Sequence, residues 1–265
     1  MLGAIIGDIA GSRFEWDNHK SKDFTFFDEE CDFTDDSVMT VAVAWAIMQC
    51  KGDWSRLGSR AVRSMQELGL RYPFAGYGGK FTEWLVSPAP RPYFSYGNGS
   101  AMRVSPCAFV AGSLEEAICL SRRVTEVTHS HPEGIKGAEA TTVATWLALN
   151  GGSIDEIKRH ITENYYPIDF TLDEIRDSYE FDVTCMGTVP QALEAFFEST
   201  GFEDAIRNAI SIGGDSDTLA AITGSVAEAF YGIPDGFGMN ALQYFDEDLI
   251  RIITAFEKRY PRIRK

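Results

Sequence analysis

Apolar residues recur along this chain with helical spacing almost from end to end. Val38, Val41, Ala42, Trp45 and Ala46 fall at i, i+3, i+4, i+7 and i+8, and so do Ala140, Val143, Ala144, Leu147 and Ala148. Val189, Ala192, Leu193, Phe196 and Phe197 repeat the pattern, as do Phe202, Ala205, Ile206, Ala209 and Ile210. A helix returns to the same face every three to four residues, so each set marks one apolar stripe. Further helices are predicted near 55–70, 79–86, 114–127, 153–163, 215–231 and 246–258. Strict alternation over a strand length is scarce, and hairpin character is confined to 20–33. The pattern predicts an all-α bundle of many short helices without a sheet.

The helical runs are separated by Gly/Pro/Ser/Asn clusters at 72–79, 87–92, 96–100, 150–152 and 212–214. None is long enough to link two domains, and 265 residues suit one large core, so a single domain is expected. With 45% hydrophobic and 24% charged residues the composition is that of an ordinary globular chain. A net charge of −15 argues against a broad nucleic-acid surface, which needs a basic stripe. A nucleotide in a metal-lined pocket is still allowed, because bound cations reverse the local sign. Cys31, Cys50, Cys107, Cys119 and Cys185 are odd in number and contain no C-x-x-C pair, so they read as buried thiols in a reducing compartment. The apolar opening Met1–Ile6 lacks a basic start and is interrupted by Asp8, which argues against a signal peptide. No apolar run reaches membrane-spanning length, so the cytoplasm is expected.

Two acidic clusters change the picture. Thr34-Asp35-Asp36 stands directly before the Val38 helix, and Asp215-Ser216-Asp217-Thr218 follows Gly213-Gly214 at the start of the next-to-last predicted helix. Each is a good helix cap, since Thr and Asp accept from free N–H groups and oppose the helix dipole. Two acids per start exceed what a cap requires, and hard oxygen ligands on a rigid helix start are what Mg²⁺ or Ca²⁺ demands. Brought together, the clusters would repel unless cations lay between them, and two shared ions would make a two-metal hydrolase site. An aspartyl-phosphatase reading of Asp-x-Asp fails, because that motif follows a buried strand near the N-terminus. Glu15 in Gly7–Glu15 is by itself an ordinary loop acid. The Asn98-Gly99-Ser100 run is a turn opening a helix, and its match to a glycosylation acceptor is accidental. His129 and His131 lack neighbouring cysteines and do not suggest zinc.

Taken in order, GDIAGSRFE (7–15), FTDDSVMT (33–40), GYGG (76–79), GNGSAMRVSP (97–106), THSHPEGIKGA (128–138) and GGDSDTLAAITG (213–224) resemble the ADP-ribosylglycohydrolase family. The resemblance runs from Gly3 to about Gly232. It implies a single-domain, orthogonal multi-helix bundle over 1–265 holding two Mg²⁺ ions, with Mn²⁺ as a substitute. Thr34, Asp35 and Asp36 fall on the family's first ligand motif. Asp215, Asp217 and Thr218 fall on its second, with Asp217 bridging the ions. Glu15 falls on the glutamate beside the scissile bond. Gly76, Gly78, Ser95, Tyr96, Gly97, Asn98, Gly99 and Ser100 fall on loops that hold the diphosphate and distal ribose, and His129 on the contact to adenosine. Lys80 departs from relatives that carry a further glycine there.

The implied activity is hydrolysis of the C1″ bond between ADP-ribose and arginine, serine, a nucleobase or a small acceptor, with Glu15 as the acid/base group. The expected partner is thus an ADP-ribosylated protein or small molecule, with nucleic acid left open and no membrane. Three readings compete: a non-catalytic ADP-ribose-binding protein, against which an intact Glu15 argues, another two-metal nucleotide hydrolase, and a helical scaffold with acidic caps only, which predicts no thermal shift with Mg²⁺.

Overall fold

The computed structural model describes residues 1–261. Among them are fourteen α-helices and no strand; a single antiparallel bridge joins Gly97 to Thr184. The first half holds α1 (Leu2–Ser12), α2 (Asp35–Cys50), α3 (Leu57–Arg71), α4 (Gly79–Val86), α5 (Ser105–Val110), α6 (Leu114–Thr125) and α7 (Pro132–Leu149). The second half holds α8 (Ile154–Asn164), α9 (Leu172–Ile175), α10 (Cys185–Phe197), α11 (Phe202–Ile210), α12 (Ser216–Tyr231), α13 (Phe237–Leu242) and α14 (Glu247–Arg259). Every helix expected from the apolar spacing is present, and the all-α class holds. No helix is long and apolar enough to cross a membrane among the described residues.

α12 is the hub. Its residues from Ser216 through Ala229 are all buried, and it packs against α1, α2, α7, α10 and α11. The tightest neighbour is α1, whose buried residues run without a break from Gly3 to Gly11. Glycines at every fourth position of α1 face α12 backbone to backbone. A Cβ on Gly3 would stand 2.3 Å from Gly224 O, one on Gly7 2.0 Å from Ala220 O, and one on Gly11 2.5 Å from Ser216 O. Only hydrogen fits between the two helices at these points. Gly3 N–H also donates to the buried Glu228 carboxylate at 2.8 Å. This seam sets Asp8 of α1 beside the first turn of α12.

Four helices escaped the periodicity. α1 is apolar all round, so it has no stripe to detect. α5, α9 and α13 are six, four and six residues long, too short to show a repeat. The 20–33 segment forms turns and bends with no strand. Its backbone carbonyls are taken by arginines: Arg207 Nη1 donates to Lys22 O at 2.9 Å and Phe24 O at 2.8 Å, and Arg13 donates to Thr25 O while also pairing with the Asp28 carboxylate. One cysteine departs from expectation. Cys119 is exposed, on the outward side of α6, whereas Cys31, Cys50, Cys107 and Cys185 are buried, and all five are free thiols.

The α1–α12 seam yields a stability test. Gly7→Ala drives a methyl into the backbone of α12 and should lower stability by about 2 to 3 kcal/mol. Gly79→Ala, whose Cβ would meet nothing within 4 Å, should stay within about 0.5 kcal/mol. Denaturant unfolding of both variants checks the difference; equal stabilities would refute the packing argument.

Candidate active site

Three helix ends converge on one point. Thr34 caps α2, accepting from Asp36 N–H at 3.2 Å, and places Asp35 and Asp36 in the first turn. Asp8 reaches over from α1 and caps the same helix: its Oδ2 accepts from Thr34 N–H and Ser37 N–H, both at 3.0 Å, and its Oδ1 from Thr34 Oγ1 at 2.6 Å. At α12, Gly213 and Gly214 take φ of 67° and 77°, left-handed values that turn the chain sharply into Asp215. Asp215 precedes α12 but makes no side-chain cap bond. Its Oδ2 instead accepts from Asn98 Nδ2 at 2.6 Å. Thr218 Oγ1 donates to Asp36 Oδ2 at 3.1 Å, which ties the two helix starts together.

The carboxylates form two overlapping triplets. Asp8, Asp36 and Asp217 each bring an oxygen within 4.8 Å of the others, and so do Glu15, Asp215 and Asp217. Asp217 belongs to both. No lysine or arginine pairs with any of these acids or with Asp35 among the described residues, and Asp36 Oδ1 is buried with no hydrogen-bond partner. Burial is the main cause that pushes their pKa values up: Asp8 to about 6, Glu15 to about 7 and Asp35 to about 8. For Glu15 the charges of Asp215 and Asp8 add to it. Asp36 and Asp217 are raised well above the usual carboxylate range, and Asp215 is raised as well. Converging hard oxygens, one of them orphaned, with no protein cation, suit a divalent ion such as Mg²⁺.

The cluster opens onto a cleft of about 440 Å³. Of the site residues expected from sequence, Glu15, Asp35, Asp36, Gly76, Gly78, Ser95, Gly97, Asn98, Gly99, His129, Asp215, Asp217 and Thr218 line it. Thr34, Tyr96 and Ser100 do not. Thr34 spends its hydroxyl on Asp8. Ser100 donates inward to Gly134 O at 2.8 Å, and the Tyr96 ring lies against His131 on the outside. Asp8 went unnoticed in sequence, although a lone acid inside an apolar helix is a signal, since such a group is buried only with partners. Trp16, Phe81, Tyr93, Met102, Arg103, Phe181 and Val183 also line the cleft, and no spacing rule singles them out. Trp16 and Phe181 stack at its mouth with centroids 5.2 Å apart.

These raised pKa values imply a pH dependence of the metal-free protein. Above about pH 4 the unfolded chain has released carboxyl protons that the folded cluster still holds. Stability must therefore fall as pH rises through the folded values of about 6, 7 and 8 for Asp8, Glu15 and Asp35. His129, whose pKa burial lowers, contributes with the opposite sign below its ordinary value of 6.5, so the clean window lies above that pH. Melting in EDTA should drop between about pH 6.5 and 9. Added Mg²⁺ should stabilise most at the alkaline end, where the ligands are ionised. A flat melting profile in EDTA would contradict the cluster's electrostatics.

Residues 1–262 match the family model of ADP-ribosylglycohydrolase. The chain is 25% identical to ADP-ribosylhydrolase ARH3 of Homo sapiens, across 94% of this chain and 90% of that protein. It is 27% identical to ADP-ribosylarginine hydrolase Tri1 of Pseudomonas putida (strain GB-1), across 88% and 70%. A solved ADP-ribosylglycohydrolase-related protein complex shares the fold at a TM-score of 0.67, with 97% of this chain and 96% of that one covered at 21% identity. With the family model matched over nearly its whole length, this chain belongs to the ADP-ribosylglycohydrolase family and is a hydrolase of glycosyl bonds.

Proposed function

We propose that the chain is a Mg²⁺-dependent hydrolase that cleaves the C1″ bond between ADP-ribose and an acceptor, releasing ADP-ribose, and that it works as one domain. The observation that carries this reading is the pair of carboxylate triplets sharing Asp217 on the cleft lining. The names of the relatives, ADP-ribosylhydrolase and ADP-ribosylarginine hydrolase, support an ADP-ribosyl group as the substrate.

Asp35, Asp36, Asp215 and Asp217 would hold two Mg²⁺ ions, or Mn²⁺ in their place. Thr34 and Thr218 would lie within the same cluster, and Asp8 joins them on geometry. Bound there, the ions would supply the positive charge the cluster lacks and acidify water.

Glu15 is half-buried, and in the metal-free protein burial, with the charges of Asp215 and Asp8 added, raises its pKa to about 7. Bound cations would offset the part due to Asp215 and Asp8 and leave the part due to burial. The carboxyl can take a proton from an attacking water or give one to the leaving group as the ribose passes through an oxocarbenium-like state. Asn98 holds Asp215 while donating also to Thr188 Oγ1 at 3.1 Å, which fixes the amide. Gly78 and Gly79 leave open space, since a Cβ at either would meet nothing within 4 Å. The 76–79 loop and Gly99 can therefore bring backbone N–H groups close to a diphosphate, whereas the N–H groups of Gly97 and Asn98 are already given to Ser95 Oγ and Val183 O.

Two experiments test the reading. In calorimetric titration with Mg²⁺, Asp217→Asn should lose most of the binding, because both triplets use that residue. Glu15→Gln should keep the ion held by the Asp8–Asp36–Asp217 triplet and lose turnover by roughly two to four orders of magnitude. An Asp217→Asn protein with unchanged Mg²⁺ affinity would remove the metal assignment. The second experiment assays arginine-, serine- and nucleobase-linked ADP-ribose with Mg²⁺ or EDTA. At least one should release free ADP-ribose in Mg²⁺ alone; release from none would sink the proposed activity.

A further inference from the structure

Beside Tyr93 on the cleft lining, three buried polar side chains are linked in a row: Arg103, Thr128 and His129. Arg103 is 1% exposed and forms no ion pair among the described residues. Its Nη2 donates to Thr128 Oγ1 at 2.6 Å and more weakly to Val124 O at 3.4 Å. Thr128 Oγ1 in turn lies 2.7 Å from His129 Nδ1 and 3.4 Å from Thr125 O. Thr128 and His129 sit in the turn between α6 and α7, whose backbone N–H groups are spent on Thr125 O.

The donor inventory fixes the direction of this chain. A guanidinium only donates, so the Thr128 oxygen accepts from Arg103 and its own hydrogen must go elsewhere. A separation of 2.7 Å is normal for a hydroxyl donor, whereas 3.4 Å is at the limit. The Arg103 charge also polarises the hydroxyl and makes it a better donor. His129 Nδ1 is then the acceptor, and a neutral ring must carry its proton on Nε2. Nε2 has no hydrogen-bond partner among the described residues. It faces the 97–99 loop, where Cβ atoms on Gly97 and Gly99 would stand 3.6 Å and 3.7 Å away. The missing side chains leave the N–H open to the cleft.

We propose that Arg103 and Thr128 are positioning residues that hold His129 as a neutral Nε2–H donor, aimed at an acceptor atom of the bound ADP-ribosyl group. The proposal rests on the reading of the cleft given above. It also accounts for a buried arginine with no carboxylate. Burial, with the Arg103 charge added, keeps the imidazole from protonating, and a doubly protonated ring would have no acceptor to offer Thr128. If the two residues merely filled space between α6 and α7, the ring tautomer would be indifferent to the Thr128 hydroxyl.

The test is ¹⁵N NMR of the full chain labelled at histidine, at pH 7.5, with His129 assigned among the four histidines by the signal lost in His129→Gln. The wild-type ring should carry its proton on Nε2. Thr128→Val should populate the Nδ1–H form and weaken ADP-ribose binding about tenfold, the worth of one hydrogen bond. Thr128→Ser should restore both. A wild-type ring protonated on Nδ1 overturns the proposal, and that measurement needs no variant to fold. Unchanged tautomer and affinity in Thr128→Val overturn it as well. A wild-type protein that shows the Nε2–H ring but binds no ADP-ribose instead overturns the reading of the cleft.

Discussion

The backbone contact between α1 and α12 is the constraint on which the site depends. Three glycines four residues apart remove every side chain that would hold the two helices at an ordinary distance. The gain is positional. Asp8, on a helix that is otherwise apolar, is carried into the same space as Asp36 and Asp217, and its second carboxylate oxygen is free to cap α2. A wider seam would leave two acidic helix starts facing each other with no third acid between them.

Capping and ligand chemistry are not alternatives in this architecture. Asp8 and Thr34 together satisfy the first N–H groups of α2, and this releases Asp36, whose Oδ1 is left bare. At α12 the acid that should cap the helix is drawn off by Asn98, and its neighbour Asp217 turns to the shared centre. Each helix start thus spends some of its polar atoms on folding and keeps the rest for a ligand. The cost is visible in the electrostatics. Burial raises every carboxyl in the cluster, so the folded protein carries strain that protons or cations relieve.

Another part of the cleft lining is built on the reverse logic. There the buried charge is positive, and Arg103 finds no acid to pair with, only carbonyl and hydroxyl oxygens and the face of Phe81. The cleft lining thus carries unpaired carboxylates and also an unpaired guanidinium that Thr128 links to the His129 imidazole.

Apolar periodicity alone determined the all-α class and most of the helices, because a half-buried helix writes its packing face into its spacing. It was silent on α1, where burial on every side erases the stripe, and on helices shorter than two turns. The acidic motifs at 34–36 and 215–218 were legible for a similar reason: a helix start that carries more acid than a cap needs stands out locally. Tertiary structure alone decided that Asp8 completes the cluster and bonds to Thr34, that Tyr96 and Ser100 lie off the cleft lining, and that Arg103 reaches His129 through Thr128. Those outcomes depend on which atoms meet across helices distant in sequence. Such distances are set by packing, in particular by three missing side chains on α1, and no local spacing encodes them.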